Sequence, residues 1–298
     1  MLLKVSDKIS LVLSEAGFTF CNCLLVEDEV RTIIDTGADT KSLSALKPDT
    51  IDMVLYTHHH YDHTRGHDLF NDSKSLIHEL DYPAIVSEEL FEYYNSIDKW
   101  DELMPGVEKA QGIESLNIIA EGQLPWRADD TFVDNTVFDL GTTKVQVIHT
   151  PGHSAGHCSF WFPEEEFLFT GDICLTAAGP WYGEVLADPD DMIRSIDKLI
   201  ELKAKKITSC HINSIHEDAA SRLTEFKNRI YKRDDRIYNY LKKKPADIFE
   251  LAAHKLIYRE HPTPFVLFWE KLMLIKHIAR LERMGLIEAG ENGQFVTK

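Results

Sequence analysis

The sequence lacks a hydrophobic run long enough to cross a membrane, because no stretch approaches the roughly eighteen uninterrupted apolar residues of a spanning helix. Its N-terminal segment, MLLKVSDKISLVLSEAG, also lacks the apolar core of a signal peptide, since Asp7 and polar residues interrupt it. The sequence shows neither internal repeats nor low-complexity segments. These features predict a cytoplasmic globular protein with no membrane partner.

Cysteine is scarce, with five residues in a chain of 298. An odd number of scattered cysteines in a chain of this length argues against a disulfide framework and indicates reduced thiols. Cys21 and Cys23 form a C-x-C pair inside an apolar, strand-like run. Core packing is therefore the favoured role for this pair.

Basic residues are also few, with 32 Lys and Arg against 49 Asp and Glu, a net charge of -17. Residues 1–200 carry 13 basic and 36 acidic residues, a net charge of -23, whereas residues 201–298 carry 19 and 13, a net charge of +6. The acidic part would repel a polyanion over most of its surface. The mildly basic C-terminal part leaves a nucleic-acid partner open, and an ordinary solvated helical surface explains it equally well.

The first part of the chain alternates short strand-like runs with turns. Strands are predicted at ISLVLS, CNCLLVE, RTIID, MVLYT and SLIHE, which begin at residues 9, 21, 31, 53 and 75. Residues 81–130 differ, because acidic helix-like stretches are followed there by Pro125 and Trp126. We interpret this region as an inserted cap or lid.

A second strand-rich block follows, with predicted hairpins over 136–150 and 157–172, a helix over 188–206 capped by Asp188, and a strand over 206–210. From residue 216 onward the pattern indicates amphipathic helices and then a short hairpin at Asn292-Gly293. The sequence therefore predicts a catalytic domain over 1–215 and a helical domain over 216–298. The order of elements in the second domain is that of a winged helix-turn-helix.

The stretch THHHYDHTRGH, residues 57–67, packs five histidines and one aspartate into eleven positions directly after a predicted strand. Alternate residues of an extended segment point the same way, so His58 and His60 can reach one metal ion. Asp62 and His63, after the chain turns, can reach a second ion nearby. Imidazole nitrogen and carboxylate oxygen suit zinc, and also iron or manganese.

Three further candidate ligands follow later apolar runs that would end at the same edge of a sheet. His153 lies in the turn TPGHSAGH, Asp172 ends FTGD, and His211 ends KITSCH. Together with the first four residues they make seven candidate donors. The sequence therefore predicts a site for two metal ions.

In this order of motifs the chain resembles the metallo-β-lactamase superfamily over roughly residues 5–215. The matching motifs are Asp35 in DTG, then HxHxDH, PGHSxG, the Gly-Asp of FTGD, and the last His. The resemblance implies an α/β fold, a four-layer αββα sandwich with the metals at one edge, followed here by the small helical, winged-helix-like domain.

The resemblance also implies a ligand assignment. One metal would be held by His58, His60 and His153, the other by Asp62, His63 and His211, with Asp172 bridging them. Asp35 would orient the histidines from behind. His211 lacks the glycine expected after it, so His216 is a competing candidate.

The implied chemistry is hydrolysis by a hydroxide shared between two cations, most simply zinc, which also polarise the substrate oxygen. Asp62 can hydrogen-bond that hydroxide. Trp181 and Tyr182 lie in the loop GPWYG, just after Asp172, and are candidates for contacting the substrate. His59 is expected to point away from the metals, whereas His67 and His157 are expected to have structural or orienting roles.

Several functions fit these motifs. The favoured function is hydrolysis of a small ester, thioester or lactone, similar to the glyoxalase II-like branch. An endoribonuclease or phosphodiesterase is the first alternative, because lactamase-like nucleases also carry a winged-helix-like tail. A di-iron redox member of the superfamily is the second. The tail could instead form a homodimer or regulate the enzyme, and a secreted β-lactamase is disfavoured.

Overall fold

The computed structural model describes residues 1–17, 19–114 and 126–298 of the chain. Its strands, in chain order, are β1 (Leu2–Lys4), β2 (Ile9–Val12), β3 (Cys23–Val26), β4 (Thr32–Ile34), β5 (Met53–Leu55), β6 (Lys74–His78), β7 (Asp130–Phe132), β8 (Val137–Asp139), β9 (Lys144–His149), β10 (Cys158–Phe162), β11 (Phe167–Phe169), β12 (Lys206–Thr208), β13 (Ile287–Ala289) and β14 (Phe295–Thr297).

The α-helices are α1 (Thr40–Ser44), α2 (Tyr61–Thr64), α3 (Tyr82–Ile85), α4 (Glu88–Tyr94), α5 (Trp100–Leu103), α6 (Lys109–Glu114), α7 (Pro189–Glu201), α8 (Ala219–Leu241), α9 (Ile248–Ala253) and α10 (Pro264–Arg283). Short 3-10 turns lie at Pro48–Thr50, His67–Phe70, Ile97–Lys99 and Glu291–Gly293. None of the helices in the described ranges has the length and hydropathy that a membrane crossing requires.

Two sheets form the body of the protein. The first runs in the order β1-β2-β3-β4-β5-β6-β7, antiparallel up to β4 and parallel from β4 to β7. The second runs β12-β11-β10-β9-β8 and is antiparallel except for the β11–β12 pair. The predicted α/β sandwich is confirmed.

The second sheet is covered on both faces, because alternate side chains along its strands pack into two different hydrophobic clusters. Val147 and Phe169 pack into the cluster shared with the first sheet, and the neighbouring Ile148 and Leu168 pack into a second cluster with α7, α8 and α10. Successive side chains of a strand point to opposite faces, so β9 and β11 each contribute to both clusters. The interior strands therefore read as nearly continuous apolar runs.

Two strands were not expected from the sequence, β1 and β7. They are three residues long, and exposed residues interrupt their apolar pattern, so neither gives a period-two signal. The start of β7 at Asp130 also places the last residue of the predicted lid in the first sheet, and Trp126 is buried in the core.

The predicted lid, 81–130, contains α3 to α6, while its residues 115–125 lie outside the described part of the chain. It packs against α10, because Trp100 is buried with ring centroids 5.4 Å from Phe265 and 4.9 Å from Phe268. The two-domain division and the lid stay predictions. The C-terminal helices and the β13–β14 hairpin follow the predicted order, and a winged-helix role for them also stays a prediction.

Helix α7 carries the apolar face that the sequence predicts and the Asp188 cap, whose side chain accepts from the amides of Asp190 and Asp191. Ile196 is fully buried on this face. We expect Ile196→Ala to lower the free energy of unfolding by about 2–4 kcal/mol, because it leaves a cavity in the core. Urea unfolding followed by circular dichroism measures this loss. Ile193→Ala is the matched control, and its partly buried side chain should cost less; equal losses would contradict the packing described here.

Candidate metal centre

The seven candidate ligands arrive at one edge of the sandwich from four strand ends. The segment after β5 carries the histidine-rich stretch and turns into α2, while the segments after β9, β11 and β12 each carry one further donor. The structure brings these side chains together as two adjacent groups. They are His58, His60, His153 and Asp172 in the first, and Asp62, His63 and His211 in the second.

In the first group the three imidazoles converge through single nitrogens. His58 Nε2 lies 2.9 Å from His60 Nδ1, and His153 Nε2 lies 3.2 Å and 3.0 Å from these two atoms. Burial lowers the pKa of His58 and of His153 well below its usual range. Both rings are therefore neutral near pH 7 and can present a lone pair.

Asp172 lies between the two groups and faces each with a different oxygen. Its Oδ2 is 3.4 Å from His153 Nε2, while its Oδ1 is 3.2 Å from His63 Nε2 and 3.0 Å from His211 Nε2. Asp62 completes the second group, with Oδ2 3.4 Å from His211 Nε2 and 3.7 Å from His63 Nε2. This is the arrangement that a carboxylate bridging two cations needs.

The distances between the donor atoms are those expected of ligands around a shared metal ion. Ligands at the usual zinc–nitrogen distance lie roughly 3.3 Å apart around a tetrahedral ion, close to the separations seen here. Although His63 Nε2 and Asp172 Oδ1 are 3.2 Å apart, neither forms a hydrogen bond of suitable geometry with the described residues, and both are buried. Because such orphaned atoms are costly, the site calls for cations that would satisfy them.

Asp35, which the family resemblance places behind the histidines, contacts His63 of the second group. It accepts hydrogen bonds from the backbone N–H and the hydroxyl of Thr57, and its Oδ2 lies 2.9 Å from His63 Nδ1. His63 Nδ1–H therefore donates to this carboxylate and leaves Nε2 free for a metal. A Cβ on Gly37 would lie 1.6 Å from the carbonyl oxygen of Asp62, so the DTG glycine permits a close approach of two backbones.

Glu184 and Asp81 belong to the same site but were missed by the sequence analysis. The carboxylate of Glu184 lies 2.5 Å from His60 Nε2 and 3.1 Å from His59 Nε2. Asp81 lies 3.1 Å from His59 Nδ1 and accepts from Ser154 Oγ, in the loop that carries His153. His59 thus points away from the metal groups, as expected, and connects two buried carboxylates.

Charge stabilises this network. Burial alone would lower the pKa of His59, but the carboxylates of Glu184 and Asp81 outweigh it and raise this pKa to about 10. A protonated His59 neutralises part of their charge. Neither carboxylate has a spacing that marks it in the sequence, since one follows Trp181 in an irregular loop and the other precedes a short helix.

Two buried thiols lie beside the second group. Cys210 Sγ donates to Asp35 Oδ2 over 3.3 Å, and Cys21 belongs to the same cluster. Burial raises the pKa of both thiols well above its usual range, so they stay protonated. They act as small apolar groups with a weak donor, in line with the expected core packing of Cys21.

The remaining histidines of interest lie outside the two groups. His216 contacts Ser214 Oγ at 3.0 Å and belongs to neither group, whereas His211 faces Asp172. His67 stacks on Trp126 with ring centroids 4.7 Å apart. His157 accepts the backbone N–H of Asp172 over 2.8 Å and thereby orients that residue.

Trp181 and Tyr182, both candidates for contacting the substrate, separate in the structure. Trp181 lines the cavity beside the metal groups, and its carbonyl accepts from His153 Nδ1 over 3.0 Å. Tyr182 is fully buried, and its hydroxyl lies 2.7 Å from His277 Nε2. The prediction that Tyr182 contacts substrate is therefore corrected, because its side chain is buried against His277 and Arg233 and is not among the residues that line the cavity.

One cavity of about 1370 Å³ opens over the metal groups. Its inner wall includes His60, Asp62, His153, Asp172 and His211, and its outer walls come from the predicted lid, α8, the segment after α9, and α10. A volume above the roughly 300–1,000 Å³ of a drug-sized ligand site leaves room for an extended substrate.

Comparison with known proteins agrees with this geometry. The family model described as the metallo-beta-lactamase superfamily matches residues 16–211. A beta-lactamase-like protein 2 homolog from Caenorhabditis elegans is 26% identical over 272 residues, which cover 87% of this chain and 79% of the relative. A hydroxyacylglutathione hydrolase from Rhodospirillum rubrum is 29% identical over 161 residues, covering 54% of this chain and about half, 48%, of the relative.

Among solved structures, a metallo-beta-lactamase family protein from Thermus thermophilus superimposes with a TM-score of 0.77 at 20% identity, covering 99% of this chain and 100% of the other. This likeness concerns the fold alone. It extends over the C-terminal helices as well as the sandwich.

The Glu184 contact generates a prediction for metal affinity. We expect Glu184→Gln to weaken metal binding by about ten- to a hundredfold, because His60 loses the carboxylate that fixes its tautomer and orientation. Competition with a chromophoric chelator measures this affinity. Glu165→Gln, the same change at a partly buried carboxylate in the β10–β11 turn, is the control and should leave it unaltered. Unchanged affinity in Glu184→Gln would contradict an orienting role.

Proposed function

The chain belongs to the metallo-β-lactamase superfamily and is a metal-dependent hydrolase, and we propose that its substrate is a small ester, thioester or lactone. The observation that supports hydrolysis most directly is the position of Asp172 between two groups of imidazole and carboxylate donors. No serine or cysteine nucleophile is needed for such a reaction.

The two groups would hold one divalent cation each. His58, His60 and His153 would bind the first, and Asp62, His63 and His211 the second, with Asp172 shared between them. When bound, the pair would supply an acidified water and polarise the acyl oxygen of the substrate. Zinc suits this donor set best, and iron or manganese also fits it.

The protein's own residues position the reactants. Asp62 lines the cavity with a partly exposed carboxylate, which can accept a hydrogen bond from the attacking water and orient it. Trp181 forms an apolar wall next to His60, with ring centroids 5.4 Å apart. This wall would hold the acyl portion of a substrate and exclude bulk water from the reacting bond.

A small substrate is favoured over RNA by charge. The net charge of -17 opposes the counterion release that drives polyanion binding. The relative named hydroxyacylglutathione hydrolase adds support for a thioester, although it matches only 54% of this chain. A phosphodiesterase or nuclease is the alternative that the following experiment distinguishes.

Elemental analysis combined with activity assays tests the proposal. We expect about two metal ions per chain, together with turnover of a thioester or lactone that a chelator abolishes and added zinc restores. A bis-aryl phosphodiester is assayed in parallel. Phosphodiester turnover alone would favour the nuclease alternative, two irons would favour redox chemistry, and a folded protein that takes up no metal would overturn the proposal.

A matched pair of histidine variants tests the ligand assignment. His211→Ala should lower the metal content from about two ions per chain to about one and strongly reduce hydrolysis, since the second group loses one of its ligands. His216→Ala removes an imidazole only five positions away and should leave both properties intact. The reverse pattern would reassign the last ligand to His216.

A further inference from the structure

The long helix α8 presents a row of basic side chains to the cavity over the metal groups. Arg229, Lys232, Arg233 and Arg236 are spaced at i, i+3, i+4 and i+7, which places them on one side of a helix. All four line the cavity, and Arg259 joins them from the segment after α9. Among the described residues, two carboxylates outside the metal centre, Asp235 and Glu260, line the same cavity.

Two of the five cations are already used by the fold. Arg229 donates to the carbonyl of Ala177, and Arg233, which is buried, donates to the carbonyls of Ala178 and Pro180. They hold the loop that carries Trp181 and Glu184. Their role is structural, and they are not free to bind a ligand.

The other three cations are exposed and free of ion pairs. Lys232, Arg236 and Arg259 form no ion pair with any carboxylate in the described part of the chain, although acidic residues outnumber basic ones by 49 to 32. Arg236 donates through Nε to the backbone carbonyl of Lys232 over 3.3 Å, which leaves its other N–H groups for a ligand. In such an acidic protein, three cations around one cavity with no carboxylate partner among the described residues are unusual. Guanidinium and ammonium groups of this kind bind carboxylates and phosphates through charge-assisted hydrogen bonds.

We propose that Lys232, Arg236 and Arg259 bind an anionic group, a carboxylate or phosphate, on the leaving-group side of the substrate. This inference rests on the proposed function. The acyl portion would lie against Trp181 at the metal centre, and water would cleave its carbonyl–sulfur or carbonyl–oxygen bond to give a carboxylate and a free thiol or alcohol. The cavity is large enough to hold both ends of such a molecule at once.

A compact anion fits these residues better than a polyanion. The cations line a cavity together with apolar side chains such as Phe265 and Trp269, whereas the first 200 residues carry a net charge of -23. A nucleic acid extending beyond the cavity would meet that negative surface. A substrate with one cluster of charge would place that cluster against Lys232, Arg236 and Arg259 inside the cavity.

Steady-state kinetics with three thioesters of one acyl group tests the proposal in the metal-loaded enzyme. The thiol portions are N-acetylcysteamine, which is neutral, glutathione, which carries carboxylates, and coenzyme A, which carries phosphates. We expect a lower KM for at least one anionic thioester than for the neutral one. Lys232→Gln and Arg236→Gln should each raise that KM by about tenfold and leave kinetics with the neutral thioester unchanged.

Lys243→Gln is the matched control, because it removes the same charge from an exposed lysine just after α8, outside the cavity. It should alter neither KM. The preference between glutathione and coenzyme A identifies the anion as carboxylate or phosphate. Equal KM values for neutral and anionic thioesters, or equal effects of Lys243→Gln and Lys232→Gln, would overturn the proposal.

Binding of free glutathione and coenzyme A, measured by calorimetry, separates this proposal from the proposed function. Binding that Lys232→Gln and Arg236→Gln weaken, without turnover of any thioester, would support the anion site and refute the thioesterase function. Turnover of the neutral thioester alone, without binding of either thiol, would do the reverse. Tighter binding of a single-stranded RNA oligonucleotide that Arg236→Gln abolishes would replace the compact anion with a nucleic acid.

Discussion

The burial of imidazole and carboxylate donors at one edge of the sandwich is the constraint on which the rest of the site depends. His63 Nε2 and Asp172 Oδ1 are buried and form no well-aligned hydrogen bond within the described part of the chain, which is costly unless cations satisfy them. Each imidazole must also direct one unprotonated nitrogen toward the metal. The other nitrogen is held by a hydrogen bond to Asp35 in His63 and to Glu184 in His60. In His153 it is held by the backbone carbonyl of Trp181. Asp35 adopts a positive φ of 63°, a conformation retained here by the hydrogen bonds from Thr57.

The loop between β11 and α7 connects this centre to the C-terminal helices. It supplies the carbonyl of Trp181 to His153 and the carboxylate of Glu184 to His60. Its other side is fixed by α8, where buried Arg233 donates to two of its carbonyls and to the hydroxyl of Tyr182. The C-terminal helices therefore hold the loop that orients two metal-ligand candidates, whatever other role they have.

Much of the fold and of the inner site could be predicted from the sequence, because strand ends and histidine spacing are local signals. Strands β2 to β6 and β8 to β12 coincide with apolar runs, and all seven candidate ligands follow such runs. Asp81 and Glu184 could not be found, since they reach His59 and His60 from segments about 22 and 124 residues away. Tyr182 was misplaced for a related reason: pattern alone does not decide which of two adjacent aromatic residues in a loop faces the core.

The cavity explains part of the uneven distribution of charge along the chain. The acidic part, with a net charge of -23 over residues 1–200, supplies six of the seven candidate metal ligands, all except His211, and bound cations would offset the carboxylates nearby. The basic excess of +6 over residues 201–298 includes the row on α8 that faces the same cavity. In the sequence these basic residues could be an ordinary solvated helix surface. In the structure, some of them line the cavity over the candidate metal centre. An anion entering this cavity would be attracted from two sides, by bound metal ions and by the basic row on α8, whereas the net charge of -23 on residues 1–200 would repel it elsewhere.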